Sequence, residues 1–240
     1  MERDHIMVSR LHSSTEINAS NPSVLVKMNY IDLHTQELDF SQYNLAEDQV
    51  FVIDNLFPDY FIHYVDDLIM NSYGWFYGHT SNYPTDGHDI GADPEWKEVA
   101  ALKQQIFPGK SPHSNDGCFK MIMDAVINSI DFDMEIGEIL VNGQQWIHHT
   151  FPHQDCPCDN GLSFIYYVNK TWYDDWGGST KILLNDEWIE VPPKPGRVCF
   201  FKGNIPHHGN PPNETYRGLR ATLVYKFMRK VPLPPNETDT

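Results

Sequence analysis

Two histidines and one aspartate are spaced so that a β-rich chain can bring them to one metal ion. His153 and Asp155 form a His-x-Asp motif, and His207 follows much later in the chain. On a β-strand, residues i and i+2 face the same side, so both side chains of the motif can reach one cavity while Gln154 points away. Two imidazoles and one carboxylate form a facial triad that suits Fe(II) and leaves the opposite coordination positions open.

An arginine beyond the last histidine adds a group that a metal site alone does not need. Arg220 begins a run that alternates as a β-strand through Phe227. Its guanidinium is a planar fork suited to a carboxylate held through two hydrogen bonds. A lone His-x-Asp motif often occurs by chance. The apolar run 196–207, however, predicts a strand with His207 at its end, which makes a metal site more plausible than the motif alone does. The joint pattern predicts Fe(II) together with 2-oxoglutarate.

A third motif follows the His-x-Asp. Residues 165–172 read Ile-Tyr-Tyr-Val-Asn-Lys-Thr-Trp, and a Gly-Gly pair follows at 177–178. They resemble the prolyl 4-hydroxylase-like superfamily of Fe(II)/2-oxoglutarate-dependent dioxygenases, in which a Tyr-Tyr-x-Asn-x-x-Trp strand precedes a Gly-Gly turn. The resemblance covers residues 136–228 and extends more weakly to 51–57. It implies an α+β fold with a double-stranded β-helix (jelly-roll) core, the use of Fe(II), 2-oxoglutarate and O2, and hydroxylation of a C–H bond.

The same resemblance assigns roles to individual residues. The iron ligands, which are also the catalytic set, match His153, Asp155 and His207. Arg220 matches the basic residue that binds the distal carboxylate of 2-oxoglutarate. Tyr167 matches a residue whose hydroxyl reaches the same carboxylate in some members of the superfamily. An aspartate at the second ligand position favours hydroxylation over halogenation.

Two of these assignments choose between neighbours. His207 is preferred to His208 because the family pattern has a proline four residues after the ligand, and Pro211 stands there. Arg220 is preferred to Arg217 because it opens the Arg-x-Thr-Leu strand. A few extra residues between the last ligand and the arginine depart from the family pattern.

Four other residues near the triad have two interpretations each. Asn142 and Gln144 either line the pocket or are ordinary strand or turn amides. Cys156 and Cys158 are expected to be free thiols beside the site; a zinc site is the alternative, although the chain lacks the paired Cys-x2-Cys clusters of structural zinc sites.

Composition limits the partners. The chain has 17 basic and 33 acidic residues, a net charge of −16 and a pI near 5.0. Such a protein repels phosphate backbones, so we expect no nucleic-acid partner. The nucleic-acid demethylases of this superfamily also usually carry a second arginine where this chain has Lys226. No apolar run has the length of a membrane span, and the amino terminus lacks a signal-peptide core, so we expect a cytoplasmic protein with no membrane partner.

The chain is expected to hold one domain. Residues 1–20 are predicted to be a mobile segment, 21–230 a single dioxygenase domain with its jelly-roll core at about 136–228, and 231–240 a polar tail. Helices are predicted at 59–71, 93–107 and 118–130, a long aromatic loop at 74–91, and strands from 136 to 227 with turns that include Gly143.

The substrate is less constrained than the chemistry. Similarity to prolyl hydroxylases predicts a prolyl residue in a peptide or protein, and the aromatic loop 74–91 offers a surface for it. A free amino acid or small metabolite is the alternative substrate, because function belongs to the site and not to the fold. A non-catalytic metal-binding jelly-roll module is the alternative from another class of protein.

Overall fold

The structure, a computed structural model, describes residues 28–35, 37, 49–79, 101–107, 116–127, 134–156 and 161–229. These residues form two helices, α1 (Asp59–Met70) and α2 (Gly117–Ile127). They also form the strands β1 (Met28–Asp32), β2 (Val50–Asp54), β3 (Phe76–His79), β4 (Ala101–Phe107), β5 (Met134–Gln144), β6 (Gly161–Tyr167), β7 (Thr180–Leu184), β8 (Glu187–Val191), β9 (Val198–Lys202), β10 (His207–Gly209) and β11 (Arg220–Arg229).

Two sheets build the core. The large sheet has the order β1-β2-β9-β6-β11-β5-β4-β3, and the small one has the order β10-β7-β8. One apolar cluster joins α1 and α2 to the outer face of the large sheet. A second cluster fills the space between the two sheets. This is a double-stranded β-helix with supporting helices, so the predicted α+β jelly-roll is confirmed.

On each of the strands β5, β6 and β11, some side chains face the helices and the others face the small sheet. Because side chains alternate along a strand, every second residue reaches the helix-side core. Examples are Val141 on β5, Tyr166 on β6 and Leu223 on β11. The residues between them face the small sheet and line a pocket, and they include Leu140, Asn142, Gln144, Ile165, Arg220, Thr222, Val224 and Lys226.

Several predicted elements are confirmed and others are wrong. The first and third predicted helices are present as α1 and α2. The second is wrong where the structure describes it, because residues 101–107 form β4 and pair with β3 and β5. Backbone pairing with strands distant in sequence outweighs local helix preference. The predicted loop contains β3, and the predicted turn at Gly143 lies inside β5.

Other predictions fall outside the described residues. They are the mobile segment 1–20, the tail 231–240, and the parts of the loop and second helix between residues 80 and 100. Within the described ranges, neither helix is long and apolar enough to cross a membrane.

A buried ion pair joins the end of β2 to the residue that precedes β9 in the large sheet. Asp54 ends β2, and both of its carboxylate oxygens accept hydrogen bonds from Arg197, at 2.7 and 2.9 Å. Lys194 also donates to Asp54 at 2.8 Å, and Tyr30 contributes its hydroxyl. Burial alone would raise the pKa of Asp54, but these donors, with Arg197 first, lower the pKa to about 2.

This cluster makes a testable contribution to stability. The pKa of Asp54 is lower in the folded chain than in the unfolded one, where an aspartate has a pKa of about 3.9. Its contribution is therefore complete above about pH 4 and is lost as the pH falls toward about 2. The difference corresponds to roughly 2–3 kcal/mol of unfolding free energy.

We expect urea unfolding at pH 5 to show that Asp54→Asn is less stable than wild type by a few kcal/mol, because two cations lose their partner. The difference between the two proteins should shrink as the pH is lowered to about 2.5. A constant difference across this range would contradict the role given to the Asp54 carboxylate.

Candidate active site

A cross-strand pairing brings together two histidines that are far apart in sequence. His153 and His207 form an isolated antiparallel bridge. The N–H of His153 donates to the carbonyl of His207 at 3.0 Å, and the N–H of His207 donates back at 2.9 Å. Directly paired residues project to the same face, so both rings enter the pocket, with centroids 4.6 Å apart.

The local backbone also sets the tautomer of each ring. His153 Nδ1 lies 3.0 Å from the carbonyl oxygen of Phe151, and His207 Nδ1 lies 2.9 Å from that of Ile205. A carbonyl only accepts hydrogen bonds, so each Nδ1 carries the proton and each Nε2 keeps a free lone pair. Burial, and then the neighbouring His207, lower the pKa of His153 to about 4, so its ring is neutral at pH 7.

Asp155 completes the group. One of its oxygens lies 3.4 Å from His207 Nε2, and the other lies 3.8 Å from His153 Nε2. Burial would raise the pKa of Asp155, but His207 and Lys226 lower it well below its usual value, so the group is a carboxylate. As predicted, Gln154 lies on the other side of the chain and is exposed.

The three side chains fit a metal ion. Their ligand atoms all lie within 4.8 Å of one another. Two imidazoles and one carboxylate are the donor set that suits Fe(II) with open positions for further ligands. The structure therefore brings together the three residues that the sequence predicted.

Arg220 lies in the same pocket and is 2% exposed. Its Nε donates to the carbonyl of Gly178 at 2.5 Å, its Nη1 to Gln144 at 2.7 Å, and its Nη2 to Thr180 at 3.1 Å. No carboxylate of the residues that the structure describes pairs with it, and burial lowers its pKa. A buried cation with only neutral partners leaves room for an anionic ligand.

Gly178 is required at this position. Its φ is +80°, and a Cβ added there would lie 3.0 Å from Arg220 Cδ and 3.0 Å from Trp172 Cζ2. The predicted Gly-Gly turn thus gives its carbonyl to the guanidinium and leaves space for the arginine side chain.

Tyr167 lies beside Arg220, whose guanidinium carbon is 5.8 Å from the ring centroid. Its hydroxyl is 2.8 Å from Thr180 Oγ1 and 3.1 Å from the Val191 carbonyl oxygen. Tyr167 therefore supports Thr180, which also accepts from Arg220. A direct contact between this hydroxyl and a ligand carboxylate stays a prediction.

His208 and Arg217, the alternatives to His207 and Arg220, lie outside the pocket. His208 packs its ring edge-on against Trp188, with centroids 5.3 Å apart. Burial lowers its pKa to about 4. Arg217 is exposed and stacks over the Trp146 ring at 5.1 Å. Neither residue lines the pocket.

Other residues of the site had two interpretations or were missed in the sequence. Asn142 and Gln144 both line the pocket, which favours the first of their two interpretations. Ser163 and Lys226, which contact Asp155, were missed as site residues. Alternation along their strands was the available signal, because Lys226 has the same parity as Arg220.

The prediction of free thiols beside the triad is wrong for Cys156, which is disulfide-bonded. Cys118 and Cys199 are free, and Cys158 lies outside the described residues. Disulfide formation depends on the distance between sulfurs in space, which sequence spacing does not give. A sulfur in a disulfide is not the thiolate that zinc requires, so the alternative of a zinc site at Cys156 is not supported.

Comparisons with known proteins agree with this geometry. Residues 141–225 match the family model described as the 2OG-Fe(II) oxygenase superfamily. No curated protein matches the sequence.

Solved structures share the fold at low sequence identity. One is a prolyl hydroxylase from Trichoplax adhaerens in complex with a hypoxia inducible factor peptide fragment, with TM-score 0.56, 14% identity, and 77% of this chain and 86% of that chain covered. Another is HygX from Streptomyces hygroscopicus with nickel and 2-oxoglutarate bound, with TM-score 0.55, 10% identity, and 81% and 88% covered. A third is a 2OG-Fe(II) oxygenase family oxidoreductase from Burkholderia pseudomallei, with TM-score 0.54, 14% identity, and 75% and 85% covered.

The family match over residues 141–225 and the shared fold are consistent with the resemblance to Fe(II)/2-oxoglutarate-dependent dioxygenases that the sequence predicted. This similarity supports an oxidoreductase of the dioxygenase type. Fe(II), 2-oxoglutarate and O2 are the cofactor and co-substrates of this superfamily, and the His-Asp-His group is the candidate iron site.

The ligand assignment can be tested by comparing adjacent histidines. We expect His207→Ala to lose Fe(II) binding by at least about 100-fold, because one of three protein ligands is removed. His208→Ala should keep most of the affinity, since its ring contacts Trp188 on the other side of the strand. Fe(II) titration of each metal-free variant, with circular dichroism to check folding, measures this. Loss of binding in His208→Ala alone would reverse the assignment.

Proposed function

We propose that this protein is an Fe(II)- and 2-oxoglutarate-dependent dioxygenase that hydroxylates a prolyl residue in a peptide or protein. The observation that carries the co-substrate assignment is Arg220, a buried guanidinium without a carboxylate partner in the described residues, in one pocket with His153, Asp155 and His207. A non-catalytic metal-binding jelly-roll has no need for such a group.

The arrangement of the pocket suits a dicarboxylate that reaches from Arg220 to the metal ligands. Gln144, Thr180 and Gly178 fix the guanidinium through three neutral acceptors, so its fork is oriented before any ligand binds. A fixed donor loses little freedom when it binds a carboxylate. Between the two ends, Thr222 and Val224 of β11 line the wall.

Iron bound at the triad, with 2-oxoglutarate and O2, supplies the oxidation of a C–H bond coupled to the conversion of 2-oxoglutarate into succinate and CO2. The residues of the chain orient the metal ligands and exclude water from the pocket. The Nδ1 hydrogen bonds keep both imidazoles in the metal-binding tautomer. Apolar side chains such as Leu140 and Ile165 limit access of water to the pocket.

Exposed apolar groups beside the pocket support a peptide substrate over a small one. Thr150 lines the pocket, and Trp146 and Ile147, in the segment that leads to it, are 42% and 41% exposed. Arg217 stacks over the Trp146 ring and limits its motion. Aromatic surfaces of this kind are used to bind proline-rich segments. The prolyl hydroxylase with a bound peptide shows that this fold accommodates such a ligand in a related protein.

The co-substrate assignment predicts different kinetics for two arginines. Arg220→Ala should raise the KM for 2-oxoglutarate by at least about 30-fold, because loss of one partner of a buried charge pair costs about 2–5 kcal/mol. Arg217→Ala is the matched control and should leave this KM unchanged, since the residue is exposed and outside the pocket. Succinate release measured against 2-oxoglutarate concentration tests both. An unchanged KM in Arg220→Ala would reject 2-oxoglutarate as its ligand.

The substrate assignment is tested with proline-containing peptides and free amino acids, incubated with enzyme, Fe(II) and 2-oxoglutarate. We expect mass spectrometry to show addition of one oxygen atom on a prolyl residue. Trp146→Ala should raise the KM for the peptide without changing the KM for 2-oxoglutarate, because Trp146 lies outside the pocket. Turnover of a free amino acid with no peptide modified would support the small-molecule alternative.

A further inference from the structure

A row of alternating charges begins at Asp155 of the triad and continues through Lys226 and Glu138 to Lys103. Lys226 Nζ lies 3.1 Å from Asp155 Oδ1 and 3.1 Å from Glu138 Oε2. Lys103 Nζ lies 3.2 Å from Glu138 Oε1. The Asp155 side chain is 3% exposed and the Lys226 side chain 27%, so screening by water is weaker here than at the surface.

The register of three neighbouring strands builds this row. On β11, Lys226 is paired with Glu138 of β5 on one side and with Ser163 of β6 on the other. The pairing of β11 with β5 shifts between Lys226 and Phe227, which is a β-bulge next to these residues. Bulges occur beside active sites, where they change the direction of a side chain.

Both oxygens of Asp155 are held as a result. Ser163 donates its hydroxyl to Oδ2 at 2.7 Å, while Lys226 contacts Oδ1. We propose that Lys226 is a positioning residue that holds the Asp155 carboxylate in the orientation required to share a metal ion with His153 and His207. This inference rests on the proposed function, because it takes the triad to be the metal site.

An ammonium group beside a metal site has two opposing effects. Its charge repels the metal ion, whereas its hydrogen bond orients the ligand carboxylate. Here Glu138 lies as close to the ammonium as Asp155 does, at 3.1 Å, and offsets its charge, while the hydrogen bond to Asp155 remains. The orienting effect therefore dominates, and removal of Lys226 weakens metal binding. Loss of a group that orients a metal ligand typically reduces metal affinity 10–100-fold.

Metal titration of the metal-free 240-residue chain tests this inference, with Co(II) as a spectroscopic probe. Lys226→Met removes the charge and the donor at similar length, and Lys226→Arg keeps both. Lys120→Met is the matched control, because Lys120 has the same type of carboxylate partner but its side chain is 72% exposed on α2. We expect the Kd for Co(II) to rise about 10–100-fold in Lys226→Met, to return most of the way in Lys226→Arg, and to stay unchanged in Lys120→Met.

Thermal unfolding of the metal-free variants separates positioning from a structural role. If Lys226→Met lowers the Tm but binds Co(II) as tightly as wild type, or binds it more tightly, the inference is overturned. If Lys226→Met does not fold, Ser163→Ala tests the same restraint at the other oxygen and should also weaken Co(II) binding. Wild-type protein that binds no Co(II) would instead reject the metal site of the proposed function, so the two failures are distinguishable.

Discussion

The burial of Arg220 is the constraint around which the pocket is organised. A buried charge is costly unless it is paired or hydrogen-bonded. This chain supplies neutral acceptors from three places: the Gly178 carbonyl in a turn, Gln144 at the end of β5, and Thr180 at the start of β7. Those acceptors orient the guanidinium without neutralising it. The positive charge therefore remains available to an anionic ligand, and the two sheets are joined at the same point.

Strand β11 connects this end of the pocket with the metal end. It lies between β5 and β6 at the centre of the large sheet and contributes both Arg220 and Lys226 to one face. Its opposite face contributes Leu223 and Tyr225 to the core beneath the helices. The side chains at the two ends of the site thus project from one rigid element whose other face is fully packed. A site built on packed strands is held more precisely than one built on loops.

The sequence by itself determined the chemistry and the central fold. His-x-Asp places two ligands on one side of an extended segment, and the alternation after Arg220 identifies a strand with one polar-lined and one apolar face. The Gly-Gly pair marks a turn whose φ values of +67° and +80° favour glycine. Each of these features depends on backbone geometry over a few residues, and such geometry can be predicted from local pattern.

The tertiary structure alone decided which distant groups meet. Residues 101–107 became a strand because β5 offers hydrogen-bond partners, which local propensity does not record. His207 was fixed in the pocket by its pairing with His153, and this pairing turns His208 toward Trp188. Lys226 reached Asp155 through the register of three strands. In each case, the deciding interaction joins segments far apart in the chain, so its energy depends on the folded arrangement and not on the residues nearby in sequence.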